Sequence, residues 1–220
     1  MRFRDRRQAG RELAERLRGL GEEGGWSDVV VLALPRGGVA VGREVARAFG
    51  APLDVLVVRK IGAPFHEEYG VGAMAGDEVP LFDQEALYRL GLSEADLEPV
   101  VERERAELRR REALYRQGRP APELAGRTVI VVDDGLATGS TARAALRSVR
   151  RKGPARLIFA VPVASPEGAA LMRREADEVV CLSEPAGFMA VGQWYDDFEQ
   201  LTDEDVLAAL QERAEGAGGR

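Results

Sequence analysis

The stretch VIVVDDGLATGST (129–141) gathers the residues of this chain best suited to chemistry. An apolar run ends in two carboxylates, Asp133 and Asp134. Gly135, Ala137, Thr138, Gly139, Ser140 and Thr141 follow, and then a helical pattern begins. Glycine lets a backbone come close to a ligand, and hydroxyls add donors without bulk. Where such a loop enters a helix, free N–H groups and the helix dipole favour an anion. Carboxylates beside an anion cup would repel a phosphate, unless they face another group of the same ligand. A ribose 5-phosphate meets both demands, with its phosphate in the cup and its hydroxyls donating to the acids. Each half alone also fits a helix cap or a plain turn; their combination points to a ligand. The loop has no GxxxxGK[ST] lysine and no GxGxxG spacing, which excludes a P-loop kinase.

A second glycine loop, LALPRGGVAVG (32–42), repeats the order of strand, loop and helix. Arg36 offers a fork of donors for phosphate oxygens, and Gly37 and Gly38 can expose backbone N–H groups. A third candidate, VRKIGAP (58–64), ends an apolar run with Arg59 and Lys60.

The elements that must carry these loops alternate. DVVVLAL (28–34), LDVLVV (53–58), RTVIVVDD (127–134), ARLIFAVPVA (155–164) and DEVVCL (177–182) read as strands. Runs apolar at nearly every position suggest strands covered on both faces, hence a parallel sheet. Helical period appears over 5–20 (ended by Gly21), 39–50, 83–90, 93–117, 140–153, 167–176 and about 203–214. Ser93 followed by Asp96 is a shortened capping arrangement. The mixed charges of VERERAELRRREALYRQ read as a solvated helix face. The glycine-rich stretch 61–80 has no clean period and reads as a mobile loop or an irregular hairpin. The expected fold class is α/β: an open, mostly parallel five-stranded sheet with helices on both faces and a small hood. Such sheets bind ligands beyond the carboxyl ends of their strands. The 220 residues fit one domain, with a core at about 25–183 and with 1–24 and 184–220 as hood or packing elements.

At the loops the sequence resembles the type I phosphoribosyltransferases. VIVVDDGLATGST is similar to their phosphoribosyl-diphosphate motif, and PRGG to their diphosphate loop. The resemblance implies that Ala137 to Thr141, with Gly135, hold the 5-phosphate. It implies that Asp133 and Asp134 hold the ribose hydroxyls and stabilise a cationic sugar. It implies further that Arg36, Gly37, Gly38, Arg59 and Lys60 meet the diphosphate, and that 61–80 is a closing catalytic loop. His66, Glu67, Glu68 and Tyr69 are the reactive types there, although this loop departs from the basic loops of purine and orotate enzymes. The implied reaction displaces diphosphate from phosphoribosyl diphosphate with a nitrogenous acceptor and Mg²⁺. No direct protein ligand to the metal is implied, since substrate oxygens would hold it, with the aspartates nearby. Ala137 stands where 6-oxopurine transferases usually carry a further acid, which weakens a hypoxanthine or guanine acceptor. Phe188, Trp194 and Tyr195 are candidates for an acceptor hood, by stacking on a flat ring, or else for packing. Asp196 and Asp197 would accept from an amine or cap the last helix. A homodimer is the family expectation. A rival reading keeps the ligand but not the reaction: a regulatory protein that binds phosphoribosyl diphosphate or a nucleotide without turnover.

Composition narrows the partners. A net charge of −6 disfavours sequence-independent nucleic-acid binding. The lone Cys181 and lone His66 give too few soft ligands for a Cys/His metal site. MRFRDRRQAG has no apolar core, and no run reaches the length of a membrane span. These features predict a cytoplasmic protein without membrane or nucleic-acid partners.

Overall fold

The computed structural model describes residues 1–211 apart from Asp77, and of Glu68 the backbone alone. The expected helix end at 214 therefore lies outside the described residues. Helix α1 (Arg6–Gly24) is opened by Asp5, whose side chain accepts from the Gln8 N–H, and closed by Gly25 in the left-handed region. It runs past the expected stop at Gly21, because that glycine is where the helix meets Trp26 and Phe49. A Cβ there would lie 3.1 Å from either ring. Strand β1 (Val29–Ala33), helix α2 (Gly37–Phe49) and strand β2 (Leu53–Val55) follow. Three strands then form a second sheet: β3 (Val58–Ala63), β4 (His66–Ala75) and β5 (Leu81–Phe82). After α3 (Gln84–Leu90), a 3-10 turn at Ala95–Leu97 leads into α4 (Glu98–Arg116). The chain closes with β6 (Thr128–Val132), α5 (Ser140–Arg151), β7 (Arg156–Val163), α6 (Pro166–Met172), β8 (Glu178–Ser183) and α7 (Asp203–Gln211).

The main sheet is parallel throughout, in the order β2-β1-β6-β7-β8. This is the expected α/β fold class. The apolar runs explain it. Side chains alternate across a strand, so Val29, Val31, Ile130 and Val132 pack with Leu13 and Leu17 of α1 and Val41 and Val45 of α2. Val30, Val129, Val131 and Phe159 pack against the other face, with Leu146 and Val149 of α5 and Met172 of α6. A third cluster joins α4 and α7 to β3 and β4 through Leu108, Tyr115, Val206 and Ile61.

The glycine-rich stretch is the irregular hairpin of the two readings, extended by β5. Its order is β3-β4-β5, antiparallel, with register shifts at Ile61–Ala63. Two glycines permit its close backbone approach: a Cβ on Gly62 would sit 2.2 Å from the Glu67 carbonyl oxygen, and one on Gly72 2.8 Å from that of Leu81. The expected strand 53–58 is cut after Val55, and Arg59 and Lys60 belong to this second sheet rather than to the end of a parallel strand.

The first residues meet the 194–197 segment. Phe3 bridges Tyr195 in parallel, and Phe3 N–H donates to the Trp194 carbonyl. Asp196 and Asp197 N–H donate back to the carbonyls of Phe3 and Arg4. This clasp lies beside the carboxyl ends of β1 and β6. There α2 carries the chain from β1 outward to β2, while α5 carries it from β6 to β7 on the opposite side. That reversal leaves a crevice between neighbouring strand ends, the usual ligand position in open α/β sheets.

Candidate active site at the ends of β1 and β6

Two loops leave the sheet side by side. Leu34, one residue past β1, still donates its N–H to the carbonyl of Val132, the last residue of β6, at 2.9 Å. PRGG and DDG are then pressed together. A Cβ on Gly38 would lie 2.7 Å from the Val132 carbonyl oxygen and 2.9 Å from the Asp133 Cα. A Cβ on Gly37 would lie 1.9 Å from Asp134 Oδ2. Both glycines are thus required by the approach of the aspartates, in addition to any ligand. The Pro35–Arg36 peptide is cis.

The acids are unequal. Asp133 accepts from the Asp134 N–H at 2.8 Å, and burial, aided by the neighbouring Asp134 carboxylate, pushes its carboxyl well above the usual range. Asp134 is held from outside the motif. Arg6 Nε donates to its Oδ2 at 2.7 Å, and the Tyr195 hydroxyl donates to its carbonyl at 2.6 Å. Nothing local in the sequence marks Arg6, since its partner is 128 residues away.

The Ala137–Thr141 loop is braced from below. Leu136 N–H donates to the Val163 carbonyl, and the Ser165 hydroxyl to the Ala137 carbonyl at 2.6 Å. Ser165 also escapes sequence reasoning, because a lone serine before a helix reads only as the α6 cap that it also is. Gly139 caps α5 at φ +82°, a conformation that favours glycine, and supplies no side-chain acceptor. The first-turn N–H groups of α5 therefore receive no side-chain cap from Gly139, the arrangement that suits an anion. Thr138 and Ser140 are exposed beside them. Gly135, by contrast, is dictated by the clasp: a Cβ there would lie 2.4 Å from a Val191 methyl.

Arg59 and Lys60 part company, because successive strand residues face opposite ways. Arg59 turns to α4 and pairs with Glu104 through Nε at 2.8 Å and Nη2 at 2.6 Å, and Glu104 is buried. Lys60 turns into a cleft of about 610 Å³ that Thr138, Ser140, Arg143, Gly72 and Phe82 also line. Arg36 lies 3.9 Å from Asp203 at the start of α7. Only Lys60 of the 59–60 pair is thus brought to the Ala137–Thr141 loop.

The other candidates divide. His66 is exposed at the hairpin end, opposite Ala63. Glu67 pairs with Arg103, Tyr69 is exposed, and the Glu68 side chain lies outside the described residues. The acceptor hood is corrected at Tyr195. Its ring is buried between Phe3 and Phe198, at centroid distances of 5.6 and 5.1 Å, and offers no open face. Phe188 and Trp194 pack half-buried on the same cluster. Asp196 pairs with Arg2 and Asp197 accepts from the Glu199 N–H, so neither caps α7. Thr202 and Asp205 bond reciprocally there instead.

The family model described as "Phosphoribosyl transferase domain" matches residues 3–196. The chain belongs to this family. A crystal structure of TT1426 from Thermus thermophilus is 48% identical, with a TM-score of 0.82 over 96% of this chain and 99% of that one. A candidate phosphoribosyl transferase of Mycobacterium tuberculosis, found alike in two strains, is 45% identical over 208 residues. That match covers 94% of this chain and 46% of the relative, so the chain spans about half the length of the curated relatives it matches. The matched residues take in both loops, both acids and Arg6. No helix of the described residues is long and apolar enough to cross a membrane.

Proposed function

We propose that this domain displaces diphosphate from 5-phosphoribosyl 1-diphosphate with a nitrogenous acceptor. The observation that carries the reading is the contact of the PRGG and DDG loops, which sets donors for one anion and acceptors for a sugar within one crevice. In this reading the α5 N-terminus, Thr138, Ser140 and Thr141 hold the 5-phosphate. Asp134 accepts from ribose hydroxyls. Arg36 and Lys60 meet the diphosphate; Gly38 does so less, because its N–H already donates to the Leu34 carbonyl. Arg59 drops out, since Glu104 occupies its fork.

The acceptor nitrogen attacks C1 of the ribose as the bond from C1 to the diphosphate oxygen breaks. Positive charge grows on the sugar, and the aspartates stabilise it across short distances. Asp134, paired with Arg6, and the adjoining Asp133, which accepts from the Asp134 N–H, face this charge. Cationic groups take up the charge leaving with the diphosphate. Mg²⁺ fits this anion site through substrate oxygens as its main ligands, with the two aspartates nearby. When bound it would neutralise the diphosphate. Partnership with a second copy and a place in the cytoplasm remain part of the same proposal, from the family resemblance and the charge balance.

The test is diphosphate release. The purified domain, given phosphoribosyl diphosphate and Mg²⁺, should release diphosphate with one class in a panel of purine, pyrimidine and amine acceptors. Tight binding with no release under any acceptor would favour the regulatory reading instead.

A further inference from the structure

Arg6 stands in the first turn of α1, outside both loops, yet its guanidinium reaches the donor crevice. Nε donates to Asp134 Oδ2 at 2.7 Å and Nη1 to the Glu199 carbonyl at 2.8 Å. The Phe198 ring lies beneath it, with the centroid 3.9 Å from Cζ. The pair is nearly dry, at 10% exposure for the Arg6 side chain and 14% for that of Asp134. A planar fork satisfied by a carboxylate, a carbonyl and a ring face has one orientation.

We propose that Arg6 is a positioning residue of the donor site, holding the Asp134 carboxylate so that its remaining lone pairs meet the ribose hydroxyls. The inference rests on the reading above that Asp134 faces ribose. Its geometry is independent of that reading. Arg6 engages one oxygen, and a carboxylate has about four acceptor sites, so capacity for hydroxyl donors remains. The oxygen that Arg6 engages also lies against the bare backbone of Gly37, where only the missing side chain gives room. Tyr195 ties the backbone of the same aspartate. Asp134 is thus held by three contacts, from Arg6, from Tyr195 and from the backbone of Gly37. Without Arg6 the carboxylate would turn beside Asp133, with no cation holding it. The preference for a hydroxylated sugar is therefore set partly by the first turn of the chain's first helix.

The test compares heats of binding of ribose 5-phosphate with those of its 2-deoxy and 3-deoxy analogues. Wild type should prefer ribose 5-phosphate by about tenfold over at least one analogue, the worth of one charge-assisted hydrogen bond. Arg6→Gln should lose most of that preference and bind the deoxy sugar as wild type does. Arg6→Lys, which keeps the charge but not the fork, should retain part of it. Arg2→Gln, in the exposed pair with Asp196, should match wild type. An unchanged preference in Arg6→Gln overturns the inference, as does an equal loss for all three sugars, which marks a packing role only. If circular dichroism finds Arg6→Gln unfolded, Phe198→Leu decides. It removes the ring beneath the guanidinium at a 37% exposed position, and an unchanged preference there overturns the inference. Failure of wild type to bind ribose 5-phosphate, or to prefer it, overturns the reading of Asp134 itself and the inference with it.

Discussion

Asp134 is the residue on which the site turns, because three constraints converge on it: Arg6, Tyr195 and the bare backbone of Gly37. Gly37→Ala places a methyl where Oδ2 now lies and must displace the carboxylate. Phosphoribosyl-diphosphate affinity should fall by about tenfold or more, the cost of a lost charge-assisted bond, as read by calorimetry. The two neighbours at 59 and 60 should separate cleanly. Lys60→Ala should weaken ligand binding and leave the melting temperature near wild type. Arg59→Ala leaves the buried Glu104 with the longer Arg103 contact at 3.5 Å and should cost about 1–3 kcal/mol of stability, read by urea unfolding, with ligand affinity little changed. Asp133 gives a pH signature. Its carboxyl is raised in the folded state, so between the ordinary aspartate range and that raised value the native state binds the proton and the unfolded chain does not. Stability from this group is present at low pH and is lost as pH rises through the folded pKa. Asp133→Asn should remove that slope, so the variant gains on wild type in urea melts as pH increases from about 4 towards neutrality.

The elements were legible where a local pattern suffices. VVVLA and TVIVV read as doubly covered strands from their nearly unbroken apolar runs, and PRGG and DDGLATGST stand at their ends as read. The antiparallel sheet was half legible, because Gly62 and Gly72 are there for backbone approach and erase the alternation that marks a strand. Placing Arg59 in that sheet, rather than at a parallel strand end, reversed its role. Tyr195 misled for a related reason: an aromatic-rich loop reads as a stacking surface until its partners, Phe3 and Phe198, are known. Arg6 and Ser165 were invisible, since each acts on a residue far along the chain. The clasp of residues 3–4 on 194–197 is testable as an element. Phe3 is fully buried against Tyr195, so Phe3→Ala should cost about 3–5 kcal/mol. It should also loosen Asp134, lowering ribose 5-phosphate affinity in the variant that remains folded.

The molecule is a covered parallel sheet whose switch point lies between β1 and β6, closed on one side by residues 3–6 and 194–199 and bordered on another by the β3-β4-β5 sheet. Each boundary contributes one cation, Arg6 from the clasp and Lys60 from the second sheet. A net charge of −6 is thus compatible with an anion site, because the local field and not the total decides what enters. The account stands or falls on the two loops acting as one donor site. The most direct measurement is the heat of binding of phosphoribosyl diphosphate, with and without Mg²⁺, to wild type and to the Asp133→Asn/Asp134→Asn double variant. Saturable binding that Mg²⁺ strengthens and the double variant weakens is the predicted result. Folded wild-type protein that takes up no heat at about millimolar ligand, where an affinity of only about 4 kcal/mol would register, would contradict it.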